Sequence, residues 1–575
     1  MLFSKVAECF SEIEAESSRL EMSGKLASLF KQCNALEARQ LVYIIEGNVA
    51  PAYEGLEVGI GEKFAIKAIA QTSGYSDAEI AQEYKKLGDL GSVAEYMLSK
   101  KTQRSLSFTP NTLTKTYETF LKMAKIYGSG SQQAKISLLA ELLNGATPLE
   151  AKYLVRFCLG KLRLGIGDPS IIDALSMMKN QDKRDSEALL RAFNLCSDLG
   201  EVAQNYVSGK DLSSFTASPF KPIRPALAER LPSAEEIIGK IGKCAVEAKY
   251  DGLRMQIHLE EGKVEIYSRK LEKMTGMFPE IVEAAKKLDA KSAIFEGEAL
   301  AYSLKEGRYL SFQETIQRKR KYGIDEMARD FPLNLFAFDL MYKNGKDYTL
   351  EPYYKRRRML EDMIQEEGTI KLSEQIVTDD PKELERYFKN LVSRGLEGVI
   401  AKDLNQPYVA GARKFAWIKL KKSYGEMADT VDAAIVGYYL GKGARQEFEF
   451  GGLLVCVKNE KTGELETVAK IGSGFSEDEM RNIENMLSKI KTNEKPEQVK
   501  SNLLPDFWVT PKYVVTVAAD EITLSPMHTC GLSGGKGYAL RFPRMVGLRE
   551  DKGVEDITTT SEIIKMFEMQ KKKMQ

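Results

Sequence analysis

The segment Glu247-Ala248-Lys249-Tyr250-Asp251-Gly252 places a lysine at the end of a predicted strand, just before a glycine turn. Such a turn can present the amine of Lys249 to a ligand. A free lysine has a pKa of about 10.4 and is protonated at neutral pH, so a nucleophilic lysine needs surroundings that disfavour its charge. The pattern K-x-D-G is short, and an exposed hairpin is the alternative interpretation of this segment taken alone.

Other groups suited to phosphate chemistry follow Lys249 along the chain. Lys419 and Lys421 are two residues apart, so on a strand both ammonium groups face one side, where they can neutralise charge on a transferring phosphate. The further segments are, in order, Ser268-Arg269, Glu296-Gly297-Glu298, Phe336-Ala337-Phe338-Asp339, Glu397-Gly398-Val399-Ile400-Ala401-Lys402, Trp417-Ile418-Lys419-Leu420-Lys421 and Arg549-Glu550-Asp551-Lys552. The set contains cations and carboxylates but no histidine.

The composition excludes several classes of site. The chain has two histidines, and its seven cysteines are scattered without a C-x-x-C pair, so any metal is expected to be a hard cation held by carboxylates. No Gly-Lys pair is followed by Ser or Thr, which excludes a Walker A phosphate loop. The net charge is +1, so nucleic-acid binding would need local basic patches such as 318–321 and 413–422, although such runs are usually solvated faces.

Hydrophobic spacing divides the 575 residues into about three domains. Residues 1–218 have the helical period, and the N-terminus predicts a helix rather than a signal peptide. Four prolines make 219–235 a linker that cannot continue a helix. Alternation with a hairpin signature predicts a mixed, antiparallel-rich α/β domain over 236–427. Short glycine-broken strands over 428–575 predict a small β-barrel of the oligonucleotide-binding (OB) type. No apolar run of about 20 residues occurs, so a cytoplasmic protein is expected.

The ordered segments resemble the motifs of the covalent lysine nucleotidyltransferases, the superfamily of DNA ligases, RNA ligases and mRNA capping enzymes. Within it, the chain is similar over nearly its whole length to the ATP-dependent DNA ligases of the archaeal and eukaryotic replicative type. The resemblance implies an all-α DNA-binding domain, an adenylation domain and an OB-fold domain. It also implies the activity: sealing of nicks in duplex DNA, 5′-phosphate to 3′-hydroxyl, in replication, repair and recombination, with ATP and Mg²⁺ as cofactors.

The resemblance also implies roles in nucleotide binding. Lys249 would receive AMP, Glu247 would accept a hydrogen bond from the adenine amino group, and Phe338 would stack on the adenine, with Phe336 in the core. Lys419, Lys421 and Mg²⁺ are expected to disfavour the charge on Lys249. The remaining nucleotide contacts are implied for Arg254, Arg269, Glu298 and Arg413. Many relatives have serine where this chain has Lys414, and asparagine where it has Lys270.

The remaining implied roles concern the metal, the leaving group and DNA. Mg²⁺ is expected near Glu298 and Glu397, since this ion favours oxygen ligands. Arg549, Asp551 and Lys552 would orient pyrophosphate in the first step and then leave the nucleotide. Glycines with neighbouring cations in the segment 160–167 can bring amides and charge to phosphates, although a helix–helix turn is the alternative. The predicted DNA contacts are Lys161, Arg163, Gly165 and Arg544.

The segment Gln103-Arg104-Ser105-Leu106-Ser107-Phe108 resembles a sliding-clamp-binding peptide. Gln103 is present, and Leu106 and Phe108 could enter a hydrophobic pocket, but the usual pair of adjacent aromatics is lacking. An ordinary loop between helices is the alternative. We expect a monomer, because a protein that encircles DNA with its own domains needs no second copy.

Two other functions are compatible with parts of this pattern. An RNA-modifying lysine nucleotidyltransferase would use the same chemistry, but the N-terminal helical domain argues against it. A non-catalytic DNA-clamping protein on the same scaffold would be expected to lose Lys249, Glu397 or Lys419, and all three are present.

Overall fold

The computed structural model describes the chain except residues 17, 102–108, 161, 304–307, 311–314, 316–317, 320–323, 365–367, 422–429, 441–450, 493 and 575. The chain forms two compact units. The first, the N-terminal unit, comprises residues 1–224 with 271–273; the second, the C-terminal unit, comprises the remainder. Among the described residues, no helix is both long and apolar enough to cross a membrane.

The N-terminal unit is helical, which confirms the prediction for this region. Its α-helices are α1 (Phe3–Glu14), α2 (Arg19–Phe30), α3 (Ala35–Ile45), α4 (Glu62–Ser73), α5 (Asp77–Leu87), α6 (Leu90–Ser99), α7 (Leu113–Ala124), α8 (Ser131–Asn144), α9 (Pro148–Cys158), α10 (Asp168–Asn180), α11 (Ser186–Cys196) and α12 (Leu199–Val207). Helices α3, α5 and α9 each begin at a capping box, in which a side chain and a glutamate three residues later satisfy each other's backbone amides.

One buried arginine connects three helices of this unit. Arg156 on α9 is almost completely buried, and its Nε donates to Asp89 at the start of α6 (2.9 Å) while its Nη1 donates to Glu14 on α1 (3.0 Å). Gly91 permits this packing, because a Cβ there would lie 2.5 Å from the Arg156 side chain. A guanidinium taken out of water needs such partners.

The first part of the C-terminal unit, residues 225–421, contains two sheets, as predicted for an antiparallel-rich α/β domain. Its strands are β1 (Leu227–Arg230), β2 (Cys244–Lys249), β3 (Leu253–Glu260), β4 (Lys263–Ser268), β5 (Ser292–Ser303), β6 (Arg308–Tyr309), β7 (Leu333–Lys343), β8 (Lys346–Asp347), β9 (Ile370–Leu372), β10 (Gln375–Thr378), β11 (Gly398–Asp403) and β12 (Arg413–Lys421). Its helices are α13 (Ala234–Ile241), α14 (Pro279–Ala285), α15 (Ile324–Asp330), α16 (Tyr353–Glu361) and α17 (Pro381–Ser393).

The strand order brings distant motifs together. The first sheet has the order β1-β12-β11-β2-β10, and the second has β4-β3-β5-β7-β8, with β6 paired to β5 and β9 to β7. Helices α13 and α17 pack on the first sheet, and side chains of α14 and α16 join the core of the second. The predicted linker contributes strand β1, which pairs in parallel with β12. The ends of β2, β11 and β12 therefore lie side by side.

The remaining part, residues 430–574, is rich in strands. These are β13 (Val431–Tyr439), β14 (Gly452–Lys458), β15 (Leu465–Ile471), β16 (Lys491–Thr492), β17 (Val499–Lys500), β18 (Phe507–Val509), β19 (Val514–Ala518), β20 (Glu521–Ser525), β21 (Cys530–Ser533), β22 (Lys536–Arg541) and β23 (Arg544–Leu548), with helices α18 (Glu477–Ser488) and α19 (Thr560–Met574).

The β-rich region confirms the predicted fold class, but the barrel is not closed. The larger sheet has the order β16-β18-β13-β14-β15-β17, with β19 paired to β13 and β23 to β19, while β20, β22 and β21 form a separate sheet. Its edge strands β16 and β17 are only two residues long, so they offer little backbone for a closing ladder. Met480 and Ile483 of α18 and Ile563 and Met566 of α19 complete the apolar core of this curled, open sheet.

We expect Arg156→Leu to destabilise the N-terminal unit by about 3–5 kcal/mol, because the variant leaves Asp89 and Glu14 without their shared cation. Both tryptophans, Trp417 and Trp508, belong to the C-terminal unit. Urea unfolding followed by far-UV circular dichroism should therefore shift to lower urea, while the tryptophan-fluorescence transition stays in place.

A matched control is Lys183→Leu, which removes an exposed pair with Asp173 (2.7 Å) in the same unit. This change should alter stability by at most about 1 kcal/mol. Equal shifts for the two variants would show that the buried network does not stabilise this unit.

Candidate active site

Three strands bring Lys249 next to Glu397. Lys249 is the last residue of β2, and Gly398 at the start of β11 pairs with it across the ladder. The amide of Glu397 donates to the Lys249 carbonyl (3.1 Å), and the Lys249 ammonium forms an ion pair with the Glu397 carboxylate. Lys421, opposite Gly398 on β12, binds the other oxygen of the same carboxylate. Residues far apart in the sequence thus form one cluster.

Two motif glycines are required for the close packing of the strands around Lys249. A Cβ on Gly398 would lie 2.1 Å from the carbonyl oxygen of Leu420, and a Cβ on Gly252 would lie 2.3 Å from that of Ala299. Real Cβ atoms do not come so close to backbone oxygens, so a side chain at either position would push neighbouring strands apart. The glycines of K-x-D-G and E-G therefore serve strand packing around the lysine.

The charge on Lys249 differs from the expectation. Burial lowers the pKa of Lys249, but the Glu397 carboxylate, together with Asp251 and Glu298, holds this pKa above its ordinary value. Conversely, although burial raises the pKa of Glu397, Lys249 and Lys421 hold it well below its usual range. The prediction that Lys419, Lys421 and bound Mg²⁺ together disfavour the charge on Lys249 is not met by the lysines alone, because the Glu397 carboxylate contacts the Lys249 ammonium directly.

An aromatic and charged group lines the far end of the pocket. Lys402 on β11 is buried; its Nζ donates to Glu247 (2.9 Å) and to the Phe338 carbonyl (2.7 Å), and it lies 4.4 Å from the Trp417 ring centroid. The Glu247 carboxylate also accepts from the hydroxyl of Tyr353. Glu247 is thus held as an acceptor by surrounding donors.

A β-bulge sets the position of Phe338. Ala337 pairs with Gly297 and Asp339 with Glu296, so Phe338 is the extra residue between two consecutive pairs. Its ring faces Trp417 edge-on at 5.9 Å. Phe336, by contrast, stacks on Tyr250 at 4.3 Å, in agreement with its assignment to the core.

Arg254 and Glu298 lie on paired strands of the second sheet. Arg254 donates to Glu296 (2.7 Å) and to the Ala226 carbonyl (2.9 Å), and its guanidinium lies 5.4 Å from the Phe338 ring centroid. Glu298 accepts from the amide of Gly252 (3.2 Å), and burial raises the pKa of Glu298 to about 7.

Residues 430–574 of the C-terminal unit, here called the C-terminal part, contribute charged side chains to the same pocket. Arg549 forms two hydrogen bonds of 2.8 Å with Asp551, and Lys552 forms an ion pair with Asp432 of β13. Two cations of residues 225–421 are paired with carboxylates of the C-terminal part: Arg269 with Asp556 (3.3 Å) and Lys419 with Glu562 (3.6 Å).

Twenty-four residues line the pocket. Twelve of them are predicted site residues: Glu247, Lys249, Arg254, Arg269, Glu298, Phe338, Glu397, Lys419, Lys421, Arg549, Asp551 and Lys552. This concentration of cations is suited to a triphosphate. Among the described residues, no group of three or more His, Cys, Asp or Glu side chains could hold a metal by itself. Glu298 and Glu397 supply the hard oxygen ligands that Mg²⁺ prefers, so the ion would need further ligands from phosphates and water.

The other predicted residues lie elsewhere. The α9–α10 connection buries Leu162 and Leu164 and exposes Arg163 and Gly165, both with positive φ. Arg544 begins β23, is exposed and donates to Asp520 (2.8 Å). Gln103, Leu106, Phe108 and Lys161 lie outside the described residues, and the side chain of Arg413 is not described.

Sequence reasoning missed several residues of the pocket. The largest omissions are Lys402, which ends a motif already recognised, and Asp432, Asp556 and Glu562 of the C-terminal part. The isolated Asp432 in the apolar run V-D-A-A-I-V could have been noticed, since a carboxylate in a buried strand needs a partner. Asp556 and Glu562 carry no comparable local signal.

Comparisons with known proteins identify the family of the chain. Three family models match the chain: DNA ligase N terminus over residues 2–176, ATP dependent DNA ligase domain over 225–421 and ATP dependent DNA ligase C terminal region over 446–552. The chain is 47% identical over its whole length to a "Probable DNA ligase" of Dictyoglomus turgidum, covering 98% of that protein. It is 41% identical to a DNA ligase of Saccharolobus solfataricus (98% covered) and 40% identical to one of Pyrobaculum calidifontis (99% covered), again over the whole chain. The chain therefore belongs to the ATP-dependent DNA ligase family.

Proposed function

We propose that Lys249 carries AMP in this ATP-dependent DNA ligase, an enzyme that seals nicks in duplex DNA. The supporting observation is the cluster of Lys249, Glu397 and Lys421 at adjoining strand ends. The Lys249 amine attacks the α-phosphorus of ATP, the bond to pyrophosphate breaks, and the amine loses a proton. AMP then passes to the 5′-phosphate at the nick. The 3′-hydroxyl attacks that phosphate and expels AMP.

Activation of Lys249 requires that its ion pair with Glu397 be loosened. Mg²⁺ bound with ATP would supply positive charge near Glu298 and Glu397. The Glu397 carboxylate, shared with such a cation, would hold the Lys249 proton less tightly, and the neutral amine would become available. The protein otherwise contributes alignment and charge: Lys419 and Lys421 are placed to neutralise the transferring phosphate.

The base would lie at the Glu247 and Phe338 end of the pocket. Glu247 would accept from the adenine amino group, and Phe338 would stack on the ring beside Arg254. Arg269 and Arg413 would contact the nucleotide, and Arg549, Asp551 and Lys552 would orient pyrophosphate.

DNA contacts are proposed for the N-terminal unit and for β23. Arg163 and Gly165 are exposed on a connection in which Leu162 and Leu164 are buried, so the two exposed residues can meet a phosphate. Lys161 belongs to the same segment, and Arg544 is exposed on the C-terminal part. We also propose that residues Gln103, Leu106 and Phe108 contact a sliding clamp and that the enzyme acts as a monomer.

We expect α-phosphate-labelled ATP to label the wild-type protein and not Lys249→Ala, because the variant removes the proposed attacking amine; Lys421, which also contacts Glu397, lies on a different strand. A chase with nicked duplex DNA should move the label from protein to DNA as sealed product forms. Labelled protein that transfers AMP only to RNA ends would contradict the proposal, as would unchanged labelling of the variant.

Pyrophosphorolysis of the adenylated enzyme should depend on the charge of Lys552. Burial lowers the pKa of Lys552 to about 8, so the ammonium loses its proton as the pH rises through this value. We expect the KM for pyrophosphate to increase above about pH 8 in the wild type. Lys552→Arg, which stays charged, should remove this increase. The same increase in both proteins would exclude Lys552 as its cause.

Arg163→Ala should weaken nicked-DNA binding similarly for different sequences, because a phosphate contact carries no base information. The slope of log affinity against log salt concentration should decrease by about 1. Arg184→Ala is a suitable control in the same unit, since Arg184 is exposed and pairs with Asp182 (2.6 Å). Equal salt slopes for the two variants would remove Arg163 from the interface.

A further inference from the structure

Asp432 is a partly buried carboxylate of the C-terminal part to which no role has yet been given. It is the second residue of β13, directly opposite Thr516 of β19. One carboxylate oxygen accepts the Thr516 hydroxyl hydrogen (2.7 Å), and the other binds the Lys552 ammonium. Removing a carboxylate from water is costly unless partners of this kind replace the water.

The backbone of Asp432 is held as firmly as its side chain. Its amide donates to the hydroxyl of Thr558 (3.0 Å), and its carbonyl accepts from the amide of Thr558 (2.9 Å). Thr558 follows Lys552 by six residues. Two hydrogen bonds, at the amide and at the carbonyl of Asp432, therefore connect strand β13 to the segment that carries Lys552. The position of the Asp432 oxygens is therefore determined by the sheet and not by Lys552 alone.

Lys552 lies in a crowded electrostatic environment. Burial lowers the pKa of Lys552 most strongly, and the neighbouring Arg549, Arg269 and Lys421 lower it further, although Asp432 raises it. The acidic groups near it are Asp432, Asp551 and Asp556. Asp551 forms an ion pair with Arg549, and Asp556 forms one with Arg269. Asp432 is the carboxylate that contacts the Lys552 ammonium.

We propose that Asp432 is a positioning residue for the adenylation step, in which it keeps Lys552 charged and aimed into the nucleotide pocket. The inference rests on the proposed role of Lys552 in orienting pyrophosphate. Asp432 acts through Lys552 and does not touch the reacting atoms. Both residues belong to the C-terminal part, so they leave the nucleotide together if this part moves away. The contribution of Asp432 is therefore confined to the first transfer.

The test separates the steps in the full-length enzyme. Asp432→Asn keeps the shape of the side chain and the acceptor for Thr516 but removes the charge. We expect self-adenylation by ATP to slow by about tenfold or more, the size of a coupling between two contacting charges. The KM for pyrophosphate should rise, and its increase with pH should begin below pH 8. Sealing of a nick that already carries AMP on its 5′-phosphate should remain as fast as in the wild type.

Two further variants distinguish positioning from a general loss of folding. Asp432→Glu restores the charge and should recover part of the adenylation rate. In a Lys552→Ala background, Asp432→Asn should have little further effect, because the ammonium that Asp432 contacts is already gone. Asp506→Asn changes an exposed carboxylate that accepts the amide of Leu440 in the same part of the chain, and it should leave every step unchanged.

The outcomes separate the inference from the function on which it rests. If Lys552→Ala does not slow adenylation, the proposed role of Lys552 fails. If Lys552→Ala slows adenylation and Asp432→Asn does not, the role of Asp432 fails alone. Additive effects in the double variant, or equal slowing of the sealing of pre-adenylated nicks, would also overturn the inference, since either result means that Asp432 acts other than through Lys552.

Discussion

The ion pair between Lys249 and Glu397 is the interaction on which the rest of the site depends. It is set by backbone, because the ladder between β2 and β11 and the hydrogen bond from the Glu397 amide to the Lys249 carbonyl leave little freedom for either side chain. In this state the lysine is protonated and unreactive. In the proposed mechanism the site thus stores Lys249 in a paired form, and the charge brought by the nucleotide and its metal would release the amine.

Other cations of the pocket are likewise paired with carboxylates. Arg549, Lys552, Arg269 and Lys419 are each paired with a carboxylate that the C-terminal part supplies. A buried cluster of positive charge would otherwise repel itself, and these carboxylates offset that repulsion before a triphosphate arrives. Phosphates must then compete with carboxylates for the same donors. This competition links nucleotide binding to the position of the C-terminal part.

At the Glu247 and Phe338 end of the pocket, backbone geometry positions the side chains as well as charge. A bulge in β7 sets the position of Phe338, and Lys402 joins its carbonyl to the Glu247 carboxylate. The ring and the acceptor are thus held by one buried ammonium. Strand irregularities of this kind carry little sequence signal, since the extra residue looks like any other member of an alternating run.

The sequence by itself predicted the three structural classes of region and twelve of the residues that line the pocket, Lys249 among them, because period, glycine turns and ordered motifs are local properties. It also indicated the exposed loop with Arg163. Only the tertiary structure decided which charges meet. The neighbours of Lys249 were expected to lower its pKa, yet the contact with Glu397 raises it. Asp432, Asp556 and Glu562 lie far from Lys249 in sequence, and the barrel stays open where two-residue edge strands replace a ladder. Electrostatic energy depends on distance in space, and spacing along the chain does not specify that distance.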